Sequence, residues 1–149
     1  MLSLVADHYV SLLDGDAPNG GSFALPQPPA VLDSDRAGLK EIAAVLVTPP
    51  FSGLLLGRDQ IARIARALEL PRGFGDRGQM LTNLLRTAAQ YDRFPAVVAA
   101  VETVAAGWRQ AYADTAAAAP ALAPFAAPWL AQTQHTLDLL AEMRAASPA

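Results

Sequence analysis

Apolar residues return along this chain every third or fourth position, and nowhere do apolar and polar residues alternate cleanly between turn signals. That spacing stacks side chains on one face of a helix, so the pattern predicts helices and no strands. A first helix over about 2–14 sets Leu2, Val5, Tyr9 and Leu12 on one stripe, with Asp7, Ser11 and Asp14 opposite. A Gly/Pro-rich loop at about 15–32 follows, ending in a polyproline-like stretch with Pro26, Pro28 and Pro29. The second helix, about 34–47, takes Asp33 or Ser34 as N-cap and buries Leu39, Ile42, Ala43 and Leu46, until Pro49-Pro50 stops it. The connection Phe51–Gly57 is unusually apolar, and much of it should be buried.

Helix three, about 58–69, turns Ile61, Ile64, Ala65 and Leu68 inward and Asp59, Arg63 and Arg66 outward, and Pro71, Gly73 and Gly75 end it. Helix four, about 76–90, is capped by Asp76 and buries Met80, Leu81, Leu84, Leu85 and Ala88. The strongest periodicity follows: Phe94, Val97, Val98, Val101, Val104, Ala105, Trp108 and Tyr112, with Pro95 in the first turn, where its missing N–H costs nothing. This long helix, about 95–118, should be the central one, with Trp108 largely buried and Glu102 and Arg109 on the wet side. An Ala/Pro-rich segment at about 116–128 reads as linker or kinked helix. A last helix, from about Pro128 to Ala145, puts Trp129, Leu130, Leu137, Leu140 and Ala141 on one face. The expectation is an all-α single domain over 1–149, about six helices around the long one.

Composition narrows the chemistry. Hydrophobic residues make up 52% and charged residues 17%, and alanine, with 32 copies, supplies much of the excess. No cysteine is present, which removes disulfides, thiolate metal sites and thiol nucleophiles together. No basic, apolar leader pattern opens the chain, and prolines and glutamines interrupt the uncharged stretch 115–137, so a cytoplasmic protein with no membrane span is expected. The net charge of −3 is unevenly spread. Seven arginines against four acids between Arg58 and Arg93 give +3 there, and −6 elsewhere.

Each chemical motif has a plainer competitor. Gly73-Phe74-Gly75-Asp76-Arg77-Gly78 spells G-x-G-x-x-G, but a helix precedes it and Pro71 intervenes, so an interhelical turn explains its glycines. Arg72 and Arg77 flank the start of helix four, where free N–H groups attract anions, and are the candidate anion-binding pair. Helices three and four could form a helix-turn-helix reading DNA with Arg63, Arg66, Arg77 and Arg86. The long turn and the acidic net charge argue against nucleic acid. His8 and His135 lack partners at metal-ligand spacing, and no serine sits in a nucleophile elbow. No catalytic centre, metal or cofactor is expected.

The segment Thr48-Pro49-Pro50-Phe51-Ser52-Gly53-Leu54-Leu55-Leu56, feeding helix three, resembles the TorD-like family of molybdoenzyme-maturation chaperones. The shared signature is a proline plus aromatic, a serine, then apolar residues; Pro50-Phe51 stands where the family usually has Trp–Glu. The resemblance implies an all-helical cytoplasmic chaperone that binds the leader or apo form of a redox enzyme. The expected function is therefore a non-catalytic accessory or protein-interaction role, chaperone-like in its most concrete form. Its partner is a protein or peptide, met by Phe51, Ser52, Leu54, Arg63 and Arg66, and an oligomer is left open. The rival is a DNA-binding regulator built on helices 58–90.

Overall fold

The computed structural model describes residues 38–146. The helix expected at 2–14, the loop at 15–32 and the caps Asp33 and Ser34 lie outside them. Among the described residues there is no strand, and the helices are α1 (Leu39–Leu46), α2 (Pro49–Ser52), α3 (Arg58–Ala67), α4 (Arg77–Gln90), α5 (Phe94–Ala118) and α6 (Ala123–Ala146), with a 3-10 turn at Pro120–Leu122 before α6.

The central position expected for the long helix holds. α5 runs against α6 and also meets α3 and α4, while α1 packs on α4. Val97, Val98, Val101 and Ala105 of α5 join Leu46, Leu54, Leu56, Ile61, Met80, Leu81, Leu84, Leu85 and Leu140 in one apolar core. The α3 and α4 faces point inward as their spacing predicts, and Asp76 caps α4 in a full capping box: its Oδ1 accepts from the Gln79 N–H, and the Gln79 Oε1 accepts from the Asp76 N–H, both at 2.9 Å.

Several boundaries differ from the sequence expectation, each for a local reason. α1 begins at Leu39 with Gly38 as its N-cap, not at 34. Pro49-Pro50 do end α1, but they also occupy the first two positions of α2, where fixed φ favours helix and no N–H is missed. α6 begins at Ala123, before Pro128, which therefore lies inside the helix and withholds a hydrogen bond from the Pro124 carbonyl.

α3 stops before Pro71 and the glycines that were expected to stop it. Its end is a Schellman motif, in which the Leu70 N–H reaches back to the Ala65 carbonyl at 2.8 Å and the Glu69 N–H to that of Arg66 at 3.1 Å. The left-handed residue of the motif is Glu69, with φ 57°. A residue with a Cβ costs about 1–2 kcal/mol there, partly recovered as glycine's greater unfolded entropy when the two are compared. Glu69→Gly is expected to stabilise the protein by about 0.5–1 kcal/mol. An unchanged or lower thermal midpoint would show that the left-handed turn carries no strain.

Candidate functional site

The segment that carries the family resemblance is held as a strap over the α5–α6 pair. Along its extended part Leu54 and Leu56 point into the core and Leu55 points out, the alternation of extended backbone. A single helical turn running into extended backbone leaves buried carbonyls without partners of its own, so other groups have to supply them. Here side chains of α5 and α6 do it. Gln132 Nε2 donates to the Pro50 carbonyl at 3.1 Å, and Thr136 Oγ1 to that of Ser52 at 2.7 Å. Tyr112 Oη donates to the Gly53 carbonyl and Trp108 Nε1 to that of Leu55 at 3.1 Å, while Thr133 Oγ1 gives its one proton to the Trp129 carbonyl of its own helix at 2.6 Å and lies 3.4 Å from the Gly53 oxygen.

The Ser52 hydroxyl is equally occupied. It donates to the Leu46 carbonyl at 3.0 Å and accepts from the Leu54 N–H at 3.3 Å, tying the strap to the end of α1. Ser52 and Leu54 are fully buried. Neither can meet a partner in this conformation, which corrects their placement at the binding surface; Phe51 is half-buried. Burial explains the motif instead: a small hydroxyl to close a tight turn, then apolar residues to fill the core.

The helices that carry the pieces of that surface pack on different neighbours. α2, which contains Phe51, lies against α1 and α6, whereas α3, which contains the exposed Arg63 and Arg66, lies against α4 and α5. The expected pairing of strap and arginine face thus has different neighbours on its two sides.

Trp108 is another correction. It is half-buried rather than largely buried, because it covers the strap edge and stacks on Tyr112 (centroids 5.9 Å apart), which in turn stacks on buried Trp129 at 6.0 Å. Glu102, expected in water, pairs with Arg144 of α6 at 2.7 Å, with a side-chain exposure of 19%, while Arg109 is exposed as expected. Trp108→Ala is therefore expected to cost about 1.5–3 kcal/mol in a urea titration, below the range for a fully buried aromatic. Trp108→Phe, which loses only the indole hydrogen bond, should cost about 0.5–1.5 kcal/mol. Equal midpoints for wild type and Trp108→Ala would remove the indole from the strap's support.

No protein-family model, curated protein or solved structure matches the chain. The surface itself has to supply the rest. Among the described residues Arg144–Glu102 is the one salt bridge, so Arg63, Arg66, Arg72, Arg77 and Arg86 hold no carboxylate there. Nor does any group of three potential metal ligands gather among those residues.

Sequence reasoning passed over Phe74. It stands 88% exposed on the turn between α3 and α4, between two glycines that are themselves pinned. Gly73 approaches α4 so closely that a Cβ would lie 3.3 Å from Asn83 Cβ and 3.6 Å from Met80 Cα. Gly75 has φ 97°, and a side chain there would overlap the Gln79 carboxamide that completes the α4 cap. The G-x-G-x-x-G run is thus an interhelical turn with no strand before it. Its glycines fix the path, and Phe74 projects from it between exposed Arg72 and half-buried Arg77. The available signal was an aromatic residue between turn glycines, where no packing role offers itself.

Proposed function

We propose that this protein is an accessory, protein-binding domain without a catalytic centre of its own, and that it docks through the Arg72–Arg77 turn. The observation that carries this reading is Phe74, a large apolar side chain held in water by a turn fixed on both sides. Aromatic and arginine residues dominate binding hot spots, and a rigid presentation lowers the entropy lost on association. The seven exposed or half-buried arginines between Arg58 and Arg93 add charge that is paired with no described carboxylate.

The most concrete form of the role is a chaperone-like binder of a redox-enzyme subunit, supported by the likeness of Thr48–Leu56 to the TorD-like signature. A cytoplasmic location goes with it, and no helix among the described residues is long and apolar enough to cross a membrane. The test is affinity purification of the tagged full chain and of Phe74→Ala, compared by quantitative mass spectrometry. Phe74→Ala is expected to keep the wild-type urea midpoint within about 0.5 kcal/mol, being exposed, and to lose the specific partner. Sub-micromolar, sequence-selective gel shifts with duplex DNA would overturn the reading in favour of a regulator using Arg63, Arg66, Arg77 and Arg86.

A further inference from the structure

The shape of the Phe74 turn constrains what can bind it. A receptor for an extended peptide offers a groove into which the peptide's side chains descend. Phe74 does the reverse: it protrudes, at 88% exposure, from a turn whose path is set by Gly73 against Asn83 and Met80, by Gly75 at φ 97°, and by the Asp76–Gln79 capping box. The concavity must therefore come from the partner, and only a folded protein keeps a preformed apolar pocket. The rim chemistry follows from charge. Arg72 and Arg77 lie two and three residues from Phe74, and neither has a carboxylate among the described residues. Desolvating them at an interface is costly unless the partner supplies acids.

We infer that Phe74 seats as a knob in an apolar pocket of a folded partner protein whose rim carries carboxylates that receive Arg72 and Arg77. This rests on the docking reading above and deepens it: the partner surface is folded and acidic, not an extended leader segment.

The test places the photo-crosslinking residue p-benzoylphenylalanine at position 74 of the full chain in its own cells, with crosslinked residues mapped by mass spectrometry. The expected product joins position 74 to a structured segment of one other protein, with Asp or Glu beside the crosslinked residue. The double variant Arg72→Glu/Arg77→Glu should lower the yield at least about 30-fold, the loss expected at a charged hot spot. The variant should stay folded, because an acid in the first turn of α4 suits the helix dipole; its urea midpoint checks this. With the purified pair, Phe74→Ala should weaken binding by a similar factor.

Crosslinks to an unstructured leader segment, to lipid, to a second copy of this chain or to residues 1–37 of the same chain would overturn the inference. A folded protein captured equally well by the charge-swapped variant would also overturn it, while leaving the docking reading standing. Position 74 joined to no other protein would sink both.

Discussion

Gly53→Ala is expected to destabilise the protein by about 2–5 kcal/mol, a large share of the roughly 5–15 kcal/mol that holds a small domain together. Two separate effects combine. Gly53 has φ 78°, a left-handed conformation that costs about 1–2 kcal/mol for a residue with a Cβ. The new methyl would also lie 2.8 Å from the Thr133 backbone nitrogen and 3.1 Å from its Cα, inside contact distance of α6 itself. A helix backbone cannot step aside as a flexible side chain can. The strap must lift, and lifting it loosens the hydrogen bond that the Gly53 carbonyl accepts from Tyr112. Urea titration of the purified variant is the measurement. A midpoint equal to wild type would mean that the strap is not held tightly on α6.

Leu54→Ala has a comparable expected cost, about 2–5 kcal/mol, the range for truncating a fully buried leucine and leaving a cavity. Leu54 has no exposed surface and sits in the core with Leu46, Leu56 and Leu81. Its neighbour Leu55, 39% exposed, should cost under about 1 kcal/mol when truncated. The pair separates core from binding surface at adjacent positions. Equal, small losses for both would return Leu54 to the surface where the motif alone had placed it.

The helical repeat made much of this architecture readable. α3, α4 and α5 have inward faces that are apolar but for Thr82 of α4, so spacing alone located Ile61, Ile64, Leu81, Leu84, Val97 and Val101. α6 was harder because its inward face is mixed. Its buried residues include Gln132, Thr133 and Thr136 along with Trp129, Leu139 and Leu140, and a stripe drawn through apolar residues alone falls on half-buried Leu130 and Leu137. Gln132 and Thr136 are inside because strap carbonyls need donors, and the carbonyls belong to residues 82 and 84 positions earlier, while Thr133 returns its hydroxyl proton to the Trp129 carbonyl. No local window contains both halves of that relation.

Ser52 and Leu54 were placed at a surface for the related reason that a run such as Pro49–Leu56 looks the same whether it faces a partner or its own core, although its apolar character had also pointed to burial. Its hydrogen-bond partners decide, and they are distant in sequence. Phe74 was missed in the opposite way. The glycines around it explained the turn so well that the side chain they hold out drew no separate account.

The sequence distance between the strap and its donors has a consequence during synthesis. A ribosome releases Pro49–Leu56 first, then needs 82 to 84 further residues before Gln132 and Thr136 exist. At about 5–20 residues per second that interval lasts roughly 4–16 s. Throughout it Leu54 and Leu56 lack the α6 wall that later closes over the strap, although α3, α4 and α5 can already form. The nascent chain therefore passes through a stage with a three-leucine run unsheltered and its carbonyls unmatched. Aggregation losses in cells should concentrate in that window and fall when translation of residues 57–136 is faster.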